Sequence, residues 1–250
     1  MVIISVIKTK SLSAKERLVL ALDVEDFSSA ENLVGLLKDY VGVFKVGSQL
    51  FTSEGADIVS MIRQSGSKVF LDLKFHDIPN TVKGAAESAT KLGVYMFNIH
   101  TSGGYEMMKA AADAARETSI KLGIKKPLVL GVTILTSIDQ QVLEKEIGLN
   151  KTVKEQVVHL AKLAKSAGLD GVVASAQEIK EIRASCGEDF IILTPGIRPA
   201  GEELNDQKRI MTPKQALEQG ADFLVIGRPI RNAKDPVKAA KNILNDMGAN

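Results

Sequence analysis

Asp72, Lys74 and Asp77 fall in one short stretch and are the residues of this chain best placed to do chemistry. Val69, Phe70 and Leu71 lead into them as apolar β-formers, so the stretch begins as a buried strand. Asp72 and Lys74 stand two apart; strand alternation puts them on one face and Leu73 on the other. Ionised groups in a core are costly unless paired, and strand ends in α/β proteins are where reacting groups gather. Asp77 precedes Ile78-Pro79, which reads as a helix start. Taken alone, the segment could be a reacting centre, or a structural ion pair followed by an N-cap at Asp77.

Face parity in the neighbouring strands favours the reacting centre. Val19, Ala21 and Asp23 share a face of the first strand, and Val43, Lys45 and Gly47 share a face of the second. Adjacent strands lie about 4.8 Å apart and residues i and i+2 about 6.6 Å apart. Asp23, Lys45, Asp72 and Lys74 can therefore form a chain of alternating sign in which every charge has an opposite neighbour. A purely structural charge ladder would be filled more cheaply by apolar residues. A strand phase misread by one residue would turn the leucines inward and the charges against the helices. An ammonium among carboxylates stays protonated, which makes it a poor Schiff-base nucleophile and a good positioned proton donor. Fixed carboxylates repel a bound anion, and repel it less once it leaves as a neutral gas. The array suits loss of CO2 and protonation of the carbanion left behind, through preorganised electrostatics around Lys74.

The elements that must hold these groups alternate along the whole chain. Strands are expected at Leu18–Asp23, Val43–Gly47, Val69–Lys74, Met96–His100, Leu128–Thr133, Gly171–Ser175, Ile191–Thr194 and Phe223–Gly227. Helical patterns cover Ala30–Lys38, Ala56–Arg63, Val82–Lys91, Tyr105–Lys121, Val153–Ala167, Gln177–Ala184, Pro213–Gln219 and Pro236–Asp246. Eight β-then-α units favour a closed parallel TIM (β/α)8 barrel over an open doubly wound sheet. No linker or composition shift divides the 250 residues, so one catalytic domain is expected, with 1–14 a short N-terminal extension. The stretches Leu135–Lys151 and Gly196–Met211 are long for loops and follow strands on the active face, as lids do.

In such a barrel the loops after strands seven and eight form the usual phosphate site. Thr194-Pro195-Gly196-Ile197-Arg198-Pro199 ends the seventh strand and Val225-Ile226-Gly227-Arg228-Pro229 the eighth. Gly227 lets an anion approach the backbone, while Arg198 and Arg228 supply forked donors. A phosphate there would be a remote handle whose binding energy is used at Lys74.

Composition excludes several other classes. The balance of 32 Lys and Arg against 30 Asp and Glu gives +2, which implies no basic face for nucleic acid. Cys186 is the single cysteine, so neither a disulfide framework nor a cysteine metal site is expected. The opening MVIISVIKTK is too short for a signal segment and no stretch reaches membrane-spanning length, so a cytoplasmic location is expected. The three histidines show no metal-ligand spacing. His159 is expected on a helix surface; His100 ends the fourth strand at the active face, where it either packs or hydrogen-bonds in the site wall or acts directly; His76 is expected to stabilise the loop.

The segment DLKFHDIPNT, Asp72–Thr81, resembles the signature of the orotidine 5′-phosphate decarboxylase family in its bacterial form. The resemblance extends through ALDV at Ala21–Val24, FKVG at Phe44–Gly47, LTS at Leu135–Ser137, TPGIRP at Thr194–Pro199, NDQKR at Asn205–Arg209 and IGRPI at Ile226–Ile230. It implies a barrel of the ribulose-phosphate-binding type that converts orotidine 5′-phosphate to UMP, with no metal or organic cofactor. It further implies that Lys74 protonates C6, that Asp72 sits near the substrate carboxylate, and that Asp77 and Thr81 reach the neighbouring site of a homodimer. Asp23 and Lys45 would hold the ribose, Lys45 also linking the carboxylates. Thr136 would meet the pyrimidine edge, Gln207 would bridge pyrimidine and phosphate, and Arg198, Gly227 and Arg228 would hold the phosphate. Two alternatives stand beside it: a Mg²⁺-dependent sugar-phosphate decarboxylase or lyase of the same barrel group, and a non-catalytic barrel binding a phosphate ligand. The first resembles the Asp-x-Lys-x-x-Asp pattern but carries an acidic residue where this chain has Lys45.

Overall fold

The computed structural model describes residues 11–199 and 211–248. Eight parallel strands close into a barrel in chain order: β1 (Leu18–Ala21), β2 (Val43–Gly47), β3 (Lys68–Phe75), β4 (Met96–His100), β5 (Leu128–Val132), β6 (Gly171–Val173), β7 (Ile191–Thr194) and β8 (Phe223–Ile226). β8 pairs with β1 to complete the ring. The strands are buried on both faces and so read as continuous apolar runs. Val19, Ala21, Val43, Phe70, Leu193 and Val225 belong to one buried cluster, which fills the barrel. The alternate residues Leu18, Leu20, Phe44, Val46, Val69 and Leu71 pack in the second cluster, against the helices. The parity read from the sequence is therefore the parity of the fold, and it aims Lys45 and Asp72 inward.

The helices are α1 (Ala14–Arg17), α2 (Phe27–Leu37), α3 (Ser48–Glu54), α4 (Asp57–Gln64), α5 (Pro79–Lys91), α6 (Gly104–Leu122), α7 (Gln140–Lys145), α8 (Val153–Ser166), α9 (Ile179–Cys186), α10 (Pro213–Glu218), α11 (Arg228–Arg231) and α12 (Pro236–Asp246). Eight of these are the expected outer helices. α2 starts earlier than its apolar pattern because Asp26 caps it, its Oδ1 accepting the Ser29 N–H at 2.8 Å. α5 likewise starts at Pro79 instead of Val82, since proline fits the first turn where no N–H is needed. The short α1, α3, α7 and α11 escaped the pattern reading because each has too few turns to show a period. α7 lies inside Leu135–Lys151, so that stretch is a capped helix with flanks and not a plain loop; Asp139 Oδ1 accepts the Val142 N–H at 3.1 Å.

The end of the barrel remote from the strand C-termini is fastened by two ion pairs, one buried and one half-buried. Asp222, just before β8, accepts the Ile192 N–H of β7 at 2.8 Å and pairs with Arg183. Arg183 also donates to the carbonyls of Gly220 and Phe190. Asp170, just before β6, does the same for β5, accepting the Val129 N–H at 2.8 Å and Lys126 Nζ at 2.6 Å. Cys186 is buried at the end of α9, where burial pushes its thiol up, as expected of a packing residue.

Candidate active site

At the C-terminal mouth four charged side chains form an alternating chain. Lys45 Nζ lies 3.0 Å from Asp23 Oδ1 and 3.2 Å from Asp72 Oδ2, and Lys74 Nζ lies 2.7 Å from Asp72 Oδ1. Burial grades along it: Lys45 and Asp72 are each 9% exposed, whereas the Asp23 side chain at the rim is 49% exposed. β1 ends at Ala21, so Asp23 stands beyond the strand that had been expected to include it. Gly47 leaves room beside the pair: a Cβ there would sit 3.1 Å from Lys45 Nζ, which would have to give by a few tenths of an ångström, and 3.6 Å from Asp23 Oδ1. Arg231 of α11 donates to the Asp23 carbonyl and brings its guanidinium to 3.9 Å from Asp23 Oδ2.

The electrostatics follow from these contacts. Burial alone would lower Lys45, but the Asp72 and Asp23 carboxylates outweigh it and hold the ammonium above its ordinary range. Burial would raise Asp72, but the charges of Lys45 and Lys74, with hydrogen bonds from Lys74 and Asn98, hold it below the usual carboxylate range. Both groups are ionised at neutral pH. His100 at the end of β4 is lowered by burial first, then by His76 and Lys74. Its ring lies 5.3 Å from that of His76, so the two form one small wall beside the array.

The path by which Lys74 reaches Asp72 differs from simple alternation. The β3–β4 register is Phe70↔Met96 and Leu71↔Phe97, and then jumps to Phe75↔Ile99. Lys74 lies inside this bulge with φ +52°, the one non-glycine residue of positive φ among the described residues. Such a backbone costs about 1–3 kcal/mol and persists only where its surroundings impose it. The Lys74 N–H, displaced from the ladder, donates to Asn98 Oδ1 at 2.8 Å. The Asn98 Nδ2 donates to Asp72 Oδ1 at 2.7 Å. Sequence reading missed Asn98. Its signal was a lone amide on the inward parity of β4, between Met96 and His100.

A cavity of about 190 Å³ opens over the array. Lys45, Asp72 and Lys74 line it from β2 and β3, while Val132, Val173, Leu193 and Val225 line it from β5 to β8. A flat ring that is polar on one edge suits such walls. Thr136 and Pro195 also line the cavity. Arg198 is buried; its N–H donates to the Met211 carbonyl at 3.1 Å, and Ile197 pairs with Met211, which ties down both ends of the strand-seven loop. Gly227 stands beside Asp23, where a Cβ would lie 3.4 Å from Ala21 Cβ and 3.9 Å from Asp23 Oδ2, and Arg228 opens α11 next to it. Gln207 and most of its loop lie outside the described residues.

Asp77 and Thr81 do not join the array within this chain. Both are exposed, at the start of α5. Asp77 Oδ1 accepts the Ile78 N–H at 2.6 Å, and the N-cap position is Ile78, so the alternative in which Asp77 is only the helix cap does not hold. His76 is exposed on the same turn, and His159 is exposed on α8. Among the described residues no three His, Cys, Asp or Glu side chains gather as a metal-ligand set.

A closed parallel (β/α)8 barrel with paired charges at its C-terminal mouth is the architecture of a TIM-barrel enzyme. The profile of the Orotidine 5′-phosphate decarboxylase / HUMPS family matches residues 16–243. The orotidine 5′-phosphate decarboxylase of Syntrophotalea carbinolica is 56% identical over 238 residues, 95% of this chain and 97% of that one. The enzyme of that name from Moorella thermoacetica is 52% identical over 236 residues, 94% of each chain. The crystal structure of orotidine 5′-phosphate decarboxylase from Lactobacillus acidophilus superposes with a TM-score of 0.83 at 39% identity, covering 93% of this chain and 99% of that one. The chain belongs to the Orotidine 5′-phosphate decarboxylase / HUMPS family. Its place among these relatives makes it a carboxy-lyase.

Proposed function

We propose that this carboxy-lyase converts orotidine 5′-phosphate to UMP and CO2, a step of pyrimidine biosynthesis, and does so without a metal. The observation that carries the reading is the Asp23–Lys45–Asp72–Lys74 chain set against an apolar cavity, in a chain of this family. In this reading the pyrimidine lies against the β5–β8 wall with its carboxylate facing Asp72. The bond from C6 to the carboxylate breaks, CO2 leaves, and the electron pair stays on C6. Lys74 delivers a proton to C6 and recovers one from water. Asp72 holds Lys74 in place and disfavours the substrate's carboxylate, which is relieved as CO2 departs neutral. Lys45 supports the metal-free reading, because its ammonium fills the space between the Asp23 and Asp72 carboxylates.

Asp23 and Lys45 bind the ribose hydroxyls, Thr136 the pyrimidine edge, and Arg198, Gly227 and Arg228 the phosphate, with Gln207 spanning the two ends. Asp77 and Thr81 serve the neighbouring site of a homodimer. Support for that is their exposure beside Ile78, which is 68% exposed. The whole chain acts as one catalytic domain, with 1–14 an extension. No described helix is long and apolar enough to cross a membrane, and we place the enzyme in the cytoplasm.

The test is the fall in ultraviolet absorbance as orotate becomes uracil. The expected result is turnover of orotidine 5′-phosphate that survives EDTA. In Lys74→Ala that turnover is expected to fall by several orders of magnitude while UMP still binds. Turnover that needs Mg²⁺, or a Lys74→Ala variant with near-normal turnover, would overturn the reading.

A further inference from the structure

Lys74 keeps an unfavourable backbone; Asp72 on its own strand holds the ammonium, but the acceptor of its backbone N–H comes from the neighbouring strand β4. Between Leu71 and Phe75 β3 advances four residues while β4 advances two, from Phe97 to Ile99. The surplus residues form a bulge, and the Lys74 N–H bonds outside the ladder. A buried N–H without an acceptor is costly. Asn98, 1% exposed and opposite the bulge, accepts it at 2.8 Å. The amide orientation is thereby fixed: an N–H can face only the amide oxygen, so Nδ2 must face Asp72, and it donates to Oδ1 at 2.7 Å. That same oxygen receives Lys74 Nζ. One uncharged side chain thus grips Lys74 at its backbone and Asp72 at its carboxylate.

We propose that Asn98 is the positioning residue of this site, holding the β3 bulge that places the Lys74 ammonium and the Asp72 carboxylate together. The inference rests on the reading of Lys74 as proton donor for its catalytic consequence. A hydrophobic residue at 98 would orphan the bulge N–H and release one of the donors on Asp72. An aspartate would keep the acceptor but set a carboxyl oxygen against Asp72 Oδ1, where two anions cannot both stay charged. The charged and titratable groups facing that pair are Lys45 on β2, Lys74 on β3 and His100 on β4, with Asp23 and His76 one contact further out. On the β5 side Asn98 is paired with Leu130, which does not titrate.

The experiment compares wild type, Asn98→Ala and Asn98→Asp for kcat, KM, UMP affinity and pH profile, with a crystal structure of Asn98→Ala. In Asn98→Ala kcat should fall about 100-fold, the effect of a misplacement near 1 Å, while UMP affinity stays within threefold. Asn98→Asp should lose more at neutral pH and recover part of its kcat as the pH falls and the carboxyl pair gains a shared proton. In the Asn98→Ala crystal structure Lys74 should leave its positive φ. Wild-type kcat retained in Asn98→Ala, or an Asn98→Asp profile that overlays wild type, would overturn the proposal. So would kcat and UMP affinity falling together, or Lys74 keeping φ near +52° and its contact to Asp72 without the amide. The crystallographic readout stands even if orotidine 5′-phosphate proves not to be the substrate, a failure that the wild-type assay reports by itself.

Discussion

Replacing Lys45 by methionine removes the cation between two carboxylates while nearly keeping its length, and the structure sets the size and pH dependence of the cost. Lys45 Nζ is 3.2 Å from Asp72 Oδ2, a gross attraction of about 5 kcal/mol at an effective dielectric of 20. Its contact to Asp23 at 3.0 Å is screened, because that side chain is 49% exposed, and is worth about 1 kcal/mol or less. Taking the ammonium out of water offsets several kcal/mol of the gain. Asp72 keeps Lys74 and Asn98 as donors after the substitution. The net loss at pH 7 is then about 3 kcal/mol, at the low end for a buried pair with one partner removed. The sign with pH follows from the shifts. Asp72 is lowered, so its contribution is present above its ordinary value of 3.8 and is lost as pH falls through the lower folded value. Lys45 is raised, so its contribution is full below 10.5 and is lost as pH rises through the higher folded value. Urea unfolding of both proteins from about pH 2 to pH 7 measures the gap. It should be widest near neutrality and begin to narrow only below pH 3.8, closing as the pH falls through the lowered native value, where the pair loses its anion. A gap that stays constant across that range, or a methionine variant as stable as wild type at pH 7, would refute the reasoning.

Other substitutions separate the site from the scaffold. Gly47→Ala places a methyl 3.1 Å from Lys45 Nζ, which the ammonium relieves by a shift of a few tenths of an ångström, and should lower kcat/KM about 10-fold with a stability change of about 1 kcal/mol, read by steady-state kinetics and thermal melting. Asp222→Ala leaves Arg183 without its anion and the Ile192 N–H without an acceptor, and should cost about 3–5 kcal/mol in urea unfolding with kcat of the folded fraction unchanged. Mixing Asp77→Ala with Lys74→Ala chains should restore part of the activity through hybrid dimers carrying one intact site; no recovery in verified heterodimers would remove Asp77 from the neighbouring site.

The wider architecture was legible because its signals are local. Apolar runs followed by amphipathic helices gave eight units, and the eight strands lie where those runs lie. Boundaries slipped where caps decide them, as at Asp26 and Pro79, and the short helices of the connecting segments were invisible to periodicity. The local alternative of a cap at Asp77 arose because it precedes a proline-led helix; the cap position is one residue later.

What the sequence by itself determined was which residues face inward, because side-chain parity is a property of a single strand. From that came the four charges, their order of sign and their place at the C-terminal mouth. What only the tertiary structure decided was how Lys74 reaches Asp72. Simple alternation gave the right neighbours for an incomplete reason, since a register shift between β3 and β4 breaks the alternation and turns Lys74 to positive φ. A bulge exists only relative to the strand beside it. Its acceptor, Asn98, lies 24 residues further along the chain, and no pattern within β3 points to it. The clearance between Gly47 on β2 and Asp23 beyond the end of β1 is likewise a distance between segments far apart in the chain, set when the barrel closes.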